Sequence, residues 1–451
     1  MCTQSVQGGE YLKIAIITTF QSFMPQYSLT GIVKDRATML QKYGHEVHIW
    51  VSEKYHGEGF PDGIHLDKLV PFTHLADYKS LAQFKGEDPK YTPAKGVSSP
   101  TEHQRIKNIF AVTMREKLID YDVVFTEDIV FQGWHLPFAV AVMEASKDLP
   151  NISWFHAIHS VPSVNSDFWN IRLYSKKHKL IYPNATDRIL VAEQFRGSPD
   201  DVRVLPHIKD IRTFADFSLD TIDYLDQNPD IMQADIIQLY PCSVDRLEAK
   251  RLREVMMIFS HLKKFGRKVA LIVANQWVTG QAQVDIVDQY KKLAVELDLE
   301  VGRDLYFTSD YRPNERGIGK FGVGIPKHMI KEFQMLANLF IFPTREETFG
   351  LVLPEACLIG APLVVLNRSL DMMAEVSGHN CLYFNFGAAG KEHRCDDWNH
   401  YTHDIALIIL GRMHQSESIR MKTFMRKKYN YDYLYKQYYA PLLLESKTWV
   451  A

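Results

Sequence analysis

The sequence has no apolar run that approaches the roughly 20 residues needed by a membrane-spanning helix. Its first residues, MCTQSVQGGEYLK, are too polar for a signal peptide. We therefore expect a cytoplasmic protein that meets a membrane, if at all, from the surface. An excess of one charge is also missing, because 52 lysines and arginines nearly cancel 54 aspartates and glutamates. Affinity for nucleic acid or anionic lipid must then come from a local patch.

Cysteine is scarce, and the five residues present are widely spaced without a C-x-x-C pair. This spacing argues against a zinc site and against redox chemistry, and it is typical of buried thiols in a reducing compartment. We also find no cluster of aspartates or histidines that suggests a metal. The sequence therefore predicts no metal site.

Buried strands alternate with helices along most of the chain, starting with the apolar run KIAIITTF at 13–20. This alternation predicts a parallel sheet covered by helices on both faces, and 451 residues are enough for two such domains. We predict an α/β fold with Rossmann-like, doubly wound domains at 1–215 and 235–425. The acidic stretch 216–234 is predicted to be a linker, and 426–451 a C-terminal helix.

Two segments do not follow the alternation. Residues 77–105 are polar and rich in glycine and proline, which predicts a long loop with a binding role. The segment NERGIGKFGVGIP at 314–326 contains four glycines but lacks the lysine followed by serine or threonine of a phosphate-binding loop. We interpret it as a flexible lid, with a phosphate cradle as the alternative.

The stretch PTREETFGLVLPEACLIGAPLVVL carries two carboxylates, Glu347 and Glu355, around the start of a predicted helix. Gly350 allows a ligand to approach the backbone, and the helix N-terminus suits a diphosphate. Carboxylates at these positions can accept the hydroxyls of a ribose and of a sugar. Two nearby glutamates are common in any acidic chain, so the whole string, and not the spacing alone, indicates a nucleotide-sugar site.

This string resembles the signature of the family 4 retaining glycosyltransferases, in which two glutamates are separated by seven residues. The segments VRVLPHIKDIRTF and IIQLYPCSVDRLEAKRLREVMMIF resemble further landmarks of that family in the same order. The resemblance implies a GT-B fold with two domains facing a cleft, the C-terminal helix crossing back to the first. It also implies metal-independent, retaining transfer of a hexose or pentose from a nucleotide-diphosphate sugar to a hydroxyl, without a cofactor.

The resemblance assigns roles to five residues of the string. Glu355 would bind the ribose of the donor, and Glu347 would hold its sugar. The backbone amides near Phe349, Gly350 and Leu351 would face the sugar and the phosphates. Together these residues would form one donor site.

The family also supplies a lysine and an arginine to the diphosphate. Counting back from Phe259 places the lysine on Lys250. The usual arginine position is occupied by other residues, so this role is open between Arg246 and Arg251. The alternative is that these cations lie on a solvent-exposed helix face and bind no ligand.

Three more positions follow from the resemblance in the N-terminal half. Thr30 and Gly31 fall in the loop that lies near the donor phosphates in the family, although a second adjacent glycine is missing. A histidine at a strand end approaches the donor sugar, and the count from Pro150 favours His156. His159 is the reserve candidate, and a core histidine is the alternative.

The acceptor is not fixed by any motif. The segment WNIRLYSKKHKLIYP at 169–183 mixes cations and aromatic residues that could contact a lipid-linked acceptor or nucleic acid; a solvated face is the alternative. Saccharide, lipid-linked and hydroxymethylated phage DNA acceptors stay open. A non-catalytic protein that binds nucleotide sugars is the second alternative function.

Overall fold

The protein is described by a computed structural model. It describes residues 11–24, 27–57, 63–73, 78, 80–93, 99–131, 136–160, 170–360, 362–378, 380–393 and 395–449. The chain divides into two compact units. The first comprises Met1–Asp210 and Tyr429–Ala451, and the second comprises Ile211–Lys428.

The strands are β1 (Lys13–Ile17), β2 (Glu46–Ser52), β3 (Ile64–Val70), β4 (Val123–Glu127), β5 (Ser153–Ala157), β6 (His178–Tyr182), β7 (Val202–Val204), β8 (Ile236–Ser243), β9 (Val269–Gln276), β10 (Leu305–Phe307), β11 (Leu339–Phe342), β12 (Leu363–Asn367) and β13 (Leu382–Phe384). The helices are α1 (Ser28–Lys42), α2 (Leu81–Lys85), α3 (Pro100–Lys117), α4 (Leu136–Ala145), α5 (Arg188–Gln194), α6 (Ile211–Phe214), α7 (Leu219–Gln227), α8 (Asp230–Gln233), α9 (Leu252–Lys264), α10 (Gln281–Glu296), α11 (Lys327–Leu336), α12 (Val352–Gly360), α13 (Asp371–Ser377), α14 (Trp398–Gln415), α15 (Glu417–Lys428), α16 (Tyr431–Leu434) and α17 (Ala440–Ser446).

The first unit is built on a seven-stranded sheet in the order β3-β2-β1-β4-β5-β6-β7, and all its strand pairs are parallel. Both faces are covered. Ala15 and Ile17 of β1 pack into one hydrophobic core, whereas Ile14 and Ile16 pack into the other. The continuous apolar run of β1 follows from this burial on two sides.

The second unit contains two parallel three-stranded sheets, β10-β9-β8 and β11-β12-β13. The buried side chain of Gln238 in β8 joins them. Its Nε2 donates to the carbonyl of Ile341 at 2.9 Å, and its Oε1 accepts from the amide of Ile341 at 3.0 Å. The side-chain amide of Gln238 thus makes the two hydrogen bonds that a backbone peptide group would make between neighbouring strands. The predicted α/β class with two doubly wound parallel arrangements is confirmed.

The boundaries of the units differ from the predicted ones. The stretch predicted to be a linker, 216–234, lies within the second unit and forms α7 and α8. Ser218 caps α7 through the amide of Thr221, and its hydroxyl donates to Glu332 of α11 at 2.8 Å. The C-terminal segment belongs to the first unit, where Tyr431 donates to Asp35 of α1 at 2.9 Å.

The glycine-rich segment 314–326 packs closely against the chain and does not have the open surroundings expected of a lid. A Cβ on Gly319 would lie 2.2 Å from the carbonyl oxygen of Ser309, and one on Gly322 would lie 2.7 Å from that of Val278. The amide of Gly319 also donates to Ser309 at 2.7 Å. Close backbone contact explains these two glycines.

The predicted basic patch at 169–183 presents fewer free cations than its sequence suggests, because part of it forms β6. Lys179 lies within β6 and pairs with Asp201 at 3.2 Å, so its charge is engaged inside the unit. Trp169, which opens the patch, lies outside the described residues. Within the part of the chain that the structure describes, none of the helices has both the length and the apolarity to span a bilayer.

Candidate functional site

The loop between β11 and α12 is fixed at the carboxyl ends of the strands in the second unit. Asn367, the buried last residue of β12, donates through Nδ2 to the carbonyls of Thr344 at 2.8 Å and Gly387 at 2.7 Å. The amide of Arg345 donates to the carbonyl of Ala249 at 2.9 Å. The bonds from Asn367 hold the loop to β12, and the Arg345 bond holds it to the segment after β8. Ligands of parallel α/β sheets bind at this edge.

The central charged contact of this edge joins Lys250 and Glu347. Lys250 Nζ lies 2.6 Å from Glu347 Oε2, and the two side chains are only 11% and 20% exposed. The hydroxyl of Tyr240 donates to the backbone carbonyl of Lys250 and holds that turn in place. Lys250 and Glu347, which the resemblance assigns to different parts of a donor, thus lie in contact, and partial burial strengthens their electrostatic interaction.

The carboxylate of Glu347 is ionised at neutral pH. Burial acts to raise its pKa, but hydrogen bonds from Lys250 and from the Thr348 amide, with the charge of Arg246, outweigh burial and lower the pKa. An ionised carboxylate accepts hydrogen bonds only, so Glu347 suits ligand hydroxyls.

Of the two candidate arginines, Arg246 lies beside the pair. Its Nη2 is 2.6 Å from Glu346, and both side chains are about half exposed. Arg251 turns inward instead, with a positive φ of 63° and an ion pair to Glu254 at 2.8 Å. The choice between the two arginines for a diphosphate stays open, since Nε of Arg251 is buried without a hydrogen-bond partner among the described residues. The sequence analysis did not select Glu346, the partner of Arg246. No sequence signal separates it from Glu347; the two differ in their ion-pair partners, Arg246 and Lys250.

The start of α12 follows directly after Glu347. Gly350 adopts a φ of +79°, a conformation that favours glycine. The amide of Leu353 bonds the carbonyl of Gly350 at 2.9 Å, and the first amides of a helix have no acceptor within the helix. Phe349 and Leu351 are 50% and 68% exposed, and half-buried Glu355 lies in the first turn. Amide donors and a carboxylate therefore meet at one helix end.

His156 is a buried core residue, and its predicted approach to a donor sugar stays a prediction. Its Nδ1 lies 2.9 Å from Thr126 Oγ1, and its Nε2 lies 2.9 Å from Nδ1 of His178. The side chain is buried in β5, and this burial lowers its pKa to about 3. Both ring nitrogens are engaged, so His156 has none to offer a ligand.

His159, the reserve candidate, lies just beyond the carboxyl end of β5. Its Nε2 is 2.7 Å from Glu127 Oε2, and Glu127 in turn forms a buried ion pair with Arg36 of α1. Burial and the charge of Arg36 lower the pKa of His159 below its usual range. The ring is thus neutral at pH 7, and a hydrogen on Nε2 can be donated to the carboxylate of Glu127.

His207 stacks on His159, with ring centroids 5.1 Å apart. Its pKa is lowered to about 4 by burial, by His159 and by Arg36. Among the described residues, Nδ1 of each histidine is buried without a hydrogen-bond partner. A buried ring nitrogen without a protein partner commonly bonds an ordered water or a ligand.

Thr30 and Gly31 lie in the first turn of α1, and the predicted loop at this point is helical. The hydroxyl of Thr30 donates to the carbonyls of Met24 at 2.7 Å and Tyr27 at 2.6 Å. Its side chain is therefore used within its own turn, whereas Gly31 has open space where a Cβ would stand. Their predicted proximity to donor phosphates stays a prediction.

One group of possible metal ligands occurs among the described residues. His400, His403 and Asp404 of α14 place their ligand atoms within 4.8 Å of one another. All three side chains are at least 38% exposed. The prediction that function requires no metal is not tested by this surface group.

The chain matches no protein-family model. No curated protein matches its sequence either. Solved structures with a detectable likeness include a glycosyltransferase from Rickettsia africae ESF-5, with 13% identity and a TM-score of 0.34 over 97% of this chain and 99% of that chain. Another is HepE from Anabaena in complex with UDP-glucose, with 12% identity and a TM-score of 0.29 over 97% and 98%.

A third is WaaG, a glycosyltransferase involved in lipopolysaccharide biosynthesis, with 13% identity and a TM-score of 0.29 over 95% of this chain and 99% of that chain. Likeness at this level decides nothing about activity. The α/β fold is established by the strands and helices of this chain.

Proposed function

We propose that the protein is a retaining glycosyltransferase that moves a hexose or pentose from a nucleotide-diphosphate sugar to a hydroxyl acceptor. The observation that supports this most is the 2.6 Å contact between Lys250 and Glu347. It places a cation and an ionised carboxylate directly before the exposed start of a helix. These groups match the two ends of such a donor, since its diphosphate is anionic and its sugar is a polyol.

The diphosphate would bind at the start of α12. Amides that precede Leu353 and the positive end of the helix dipole favour an anion there. Lys250 would leave Glu347 for the diphosphate and neutralise the charge that builds on it as the glycosidic bond breaks. Arg246 lies on the same loop edge and would add a second cation. Stabilisation of a leaving group in this way is a large term in catalysis.

The two glutamates would hold the polyol parts of the donor. Glu347, once released by Lys250, would accept hydrogen bonds from the sugar, and Glu355 would accept both hydroxyls of the ribose. The acceptor hydroxyl would attack the face from which the nucleoside diphosphate departs, and its proton would pass to the departing phosphate oxygen. Positioning and electrostatic stabilisation then carry the reaction without a protein nucleophile.

His159 would accept a substrate hydroxyl through Nδ1, the buried nitrogen that has no partner among the described residues. We expect His159→Ala to lower kcat by about 10- to 100-fold, because loss of a hydrogen bond in a low-dielectric site costs about 1–3 kcal/mol. His156→Ala should instead lower the melting temperature, because it leaves Thr126 and His178 without their buried partner. Steady-state kinetics and thermal unfolding of both variants separate the two roles. A folded His159→Ala enzyme with unchanged kcat would show that this histidine does not bind the substrate hydroxyl.

The function is tested by incubating the protein with a panel of UDP-, GDP- and ADP-sugars. Release of the nucleoside diphosphate and transfer to saccharide, lipid-linked and hydroxymethylated DNA acceptors are measured with and without EDTA. We expect one donor to be turned over in the presence of the chelator, and the product to keep the anomeric configuration. Binding of a donor without any release of nucleotide would favour a non-catalytic binding protein.

A further inference from the structure

A cavity of about 300 Å³ lies in the second unit beside Ile236, the first residue of β8. The loop that carries Glu347 follows the carboxyl ends of the strands, so the cavity lies at the opposite edge of the sheet. Apolar side chains from α14 and α15 form much of its wall, namely Leu410, Met413 and Ile419. This is the lower end of the size range of small-molecule sites.

The cavity carries an excess of positive charge. Arg267, Arg420, Lys427 and Lys428 line it, whereas Asp235 is the one acid in its wall. That acid is already engaged, because Lys427 Nζ lies 2.5 Å from its Oδ1 and the Lys268 amide lies 3.0 Å from its Oδ2. Arg267 and Arg420 lie in the same wall, and the charge of Arg267 also acts on Asp235.

The two arginines of this wall are available to a ligand. Within the described part of the chain, neither the Arg267 nor the Arg420 side chain has a hydrogen bond or an ion pair, and both residues are exposed. A guanidinium group presents a planar set of donors that matches the oxygens of a phosphate in a bidentate manner. The wall therefore offers two anion-binding groups next to apolar surface.

The internal contacts of α15 show that only some of its cations serve the fold. Lys422 donates to the carbonyl of Gly360 at 2.9 Å, and Arg426 donates to the carbonyls of Met232 at 2.6 Å and Ala234 at 2.7 Å. These two side chains satisfy carbonyls at helix ends and anchor α15. Among the described residues, the Arg420 side chain makes no such contact and stays exposed.

We propose that this cavity is a binding site for a small organic phosphate. The phosphate lies on Arg267 and Arg420, and the apolar body of the ligand lies against Leu410, Met413 and Ile419. A phosphate monoester fits better than a carboxylate because its two negative charges match the two arginines. The site is separate from the proposed donor site and does not depend on the proposed function.

The proposal is tested with 1-naphthyl phosphate, titrated into the full chain by calorimetry. We expect saturable binding with one site per chain, and at least tenfold weaker binding by inorganic phosphate, which lacks the apolar body. Arg420→Gln should weaken the binding of 1-naphthyl phosphate about tenfold or more. The matched control is Arg412→Gln, which removes an exposed arginine of α14 that does not line the cavity, and it should bind like the wild type.

Four results would overturn the proposal, and three of them come from the titrations. They are no saturable binding at millimolar 1-naphthyl phosphate, equal affinity in Arg420→Gln, and inorganic phosphate that binds as tightly as the naphthyl ester. Binding to phosphatidylglycerol vesicles without binding of the free ester would also contradict it and indicate a membrane surface. Circular dichroism and the melting temperature without ligand confirm that the variant folds. Arg267→Gln, in the loop before β9, provides a second variant if Arg420→Gln does not fold.

Discussion

Replacing Lys250 by alanine should lower the rate of sugar transfer by about 100- to 1,000-fold, the effect of removing one preorganised group that stabilises developing charge. In the structure, Lys250 Nζ lies 2.6 Å from Glu347 at the loop before α12, and its side chain is only 11% exposed. A cation in this partly shielded place stabilises a departing diphosphate more than a solvated one does. The rate is measured as kcat/KM for the donor identified in the panel.

The matched control is Lys264→Ala, which removes an exposed lysine from the C-terminal end of α9 in the same unit. It should leave kcat/KM within about twofold of the wild type, because a surface charge of this kind contributes little. Both variants should keep the melting temperature of the wild type within a few degrees. Near-normal transfer by folded Lys250→Ala would refute the role assigned to this lysine.

Replacing Arg36 by methionine should destabilise the first unit by about 3–5 kcal/mol, because it leaves a charged partner buried without compensation. The side chains of Arg36 and Glu127 are 2% and 0% exposed, and Arg36 also donates through Nε to the hydroxyl of Tyr439 at 3.0 Å. Urea unfolding followed by tryptophan fluorescence measures the loss, since Trp50 and Trp154 are buried in this unit.

The double variant Arg36→Met/Glu127→Leu should recover part of that loss, since it leaves no unpaired buried charge. The recovery is incomplete because His159 and Tyr439 each lose a hydrogen-bond partner. Arg115→Met is the control, because Arg115 and Asp148 form an exposed ion pair at 2.6 Å. It should cost at most about 1 kcal/mol. If Arg36→Met costs no more than Arg115→Met, the buried pair does not stabilise the unit as described.

The strands could be predicted from the sequence because parallel strands buried on both faces are continuous apolar runs. The junction between the units could not. The acidic stretch 216–234 has the composition of a linker, but Ser218 bonds Glu332, more than 100 residues away, and so places the stretch in the second unit. The place of the C-terminal segment likewise depends on distant partners such as Asp35. Tertiary contacts decide these features, and no local pattern encodes them.

In the candidate site, too, some features could be predicted from the sequence and others depend on tertiary structure. Lys250 and Glu347 could each be selected from the sequence, because the motif and its order along the chain carry the information, but their contact could not be predicted. The choice between His156 and His159 could not be made, since both belong to one short stretch, FHAIH. It depends on where strand pairing ends, after Ala157. Inside β5 the histidine is core, whereas two residues beyond β5 it reaches the carboxyl end of the sheet.

The central claim is that Lys250, Glu347 and the start of α12 form a site for a nucleoside diphosphate linked to a sugar. Calorimetric titration of the full chain with UDP, GDP and ADP, and with the corresponding monophosphates, tests it most directly. We predict that one diphosphate binds at least tenfold more tightly than its monophosphate, and that Lys250→Ala removes most of this preference. Equal affinity for the two nucleotides, or no binding of any nucleoside diphosphate, would contradict the claim.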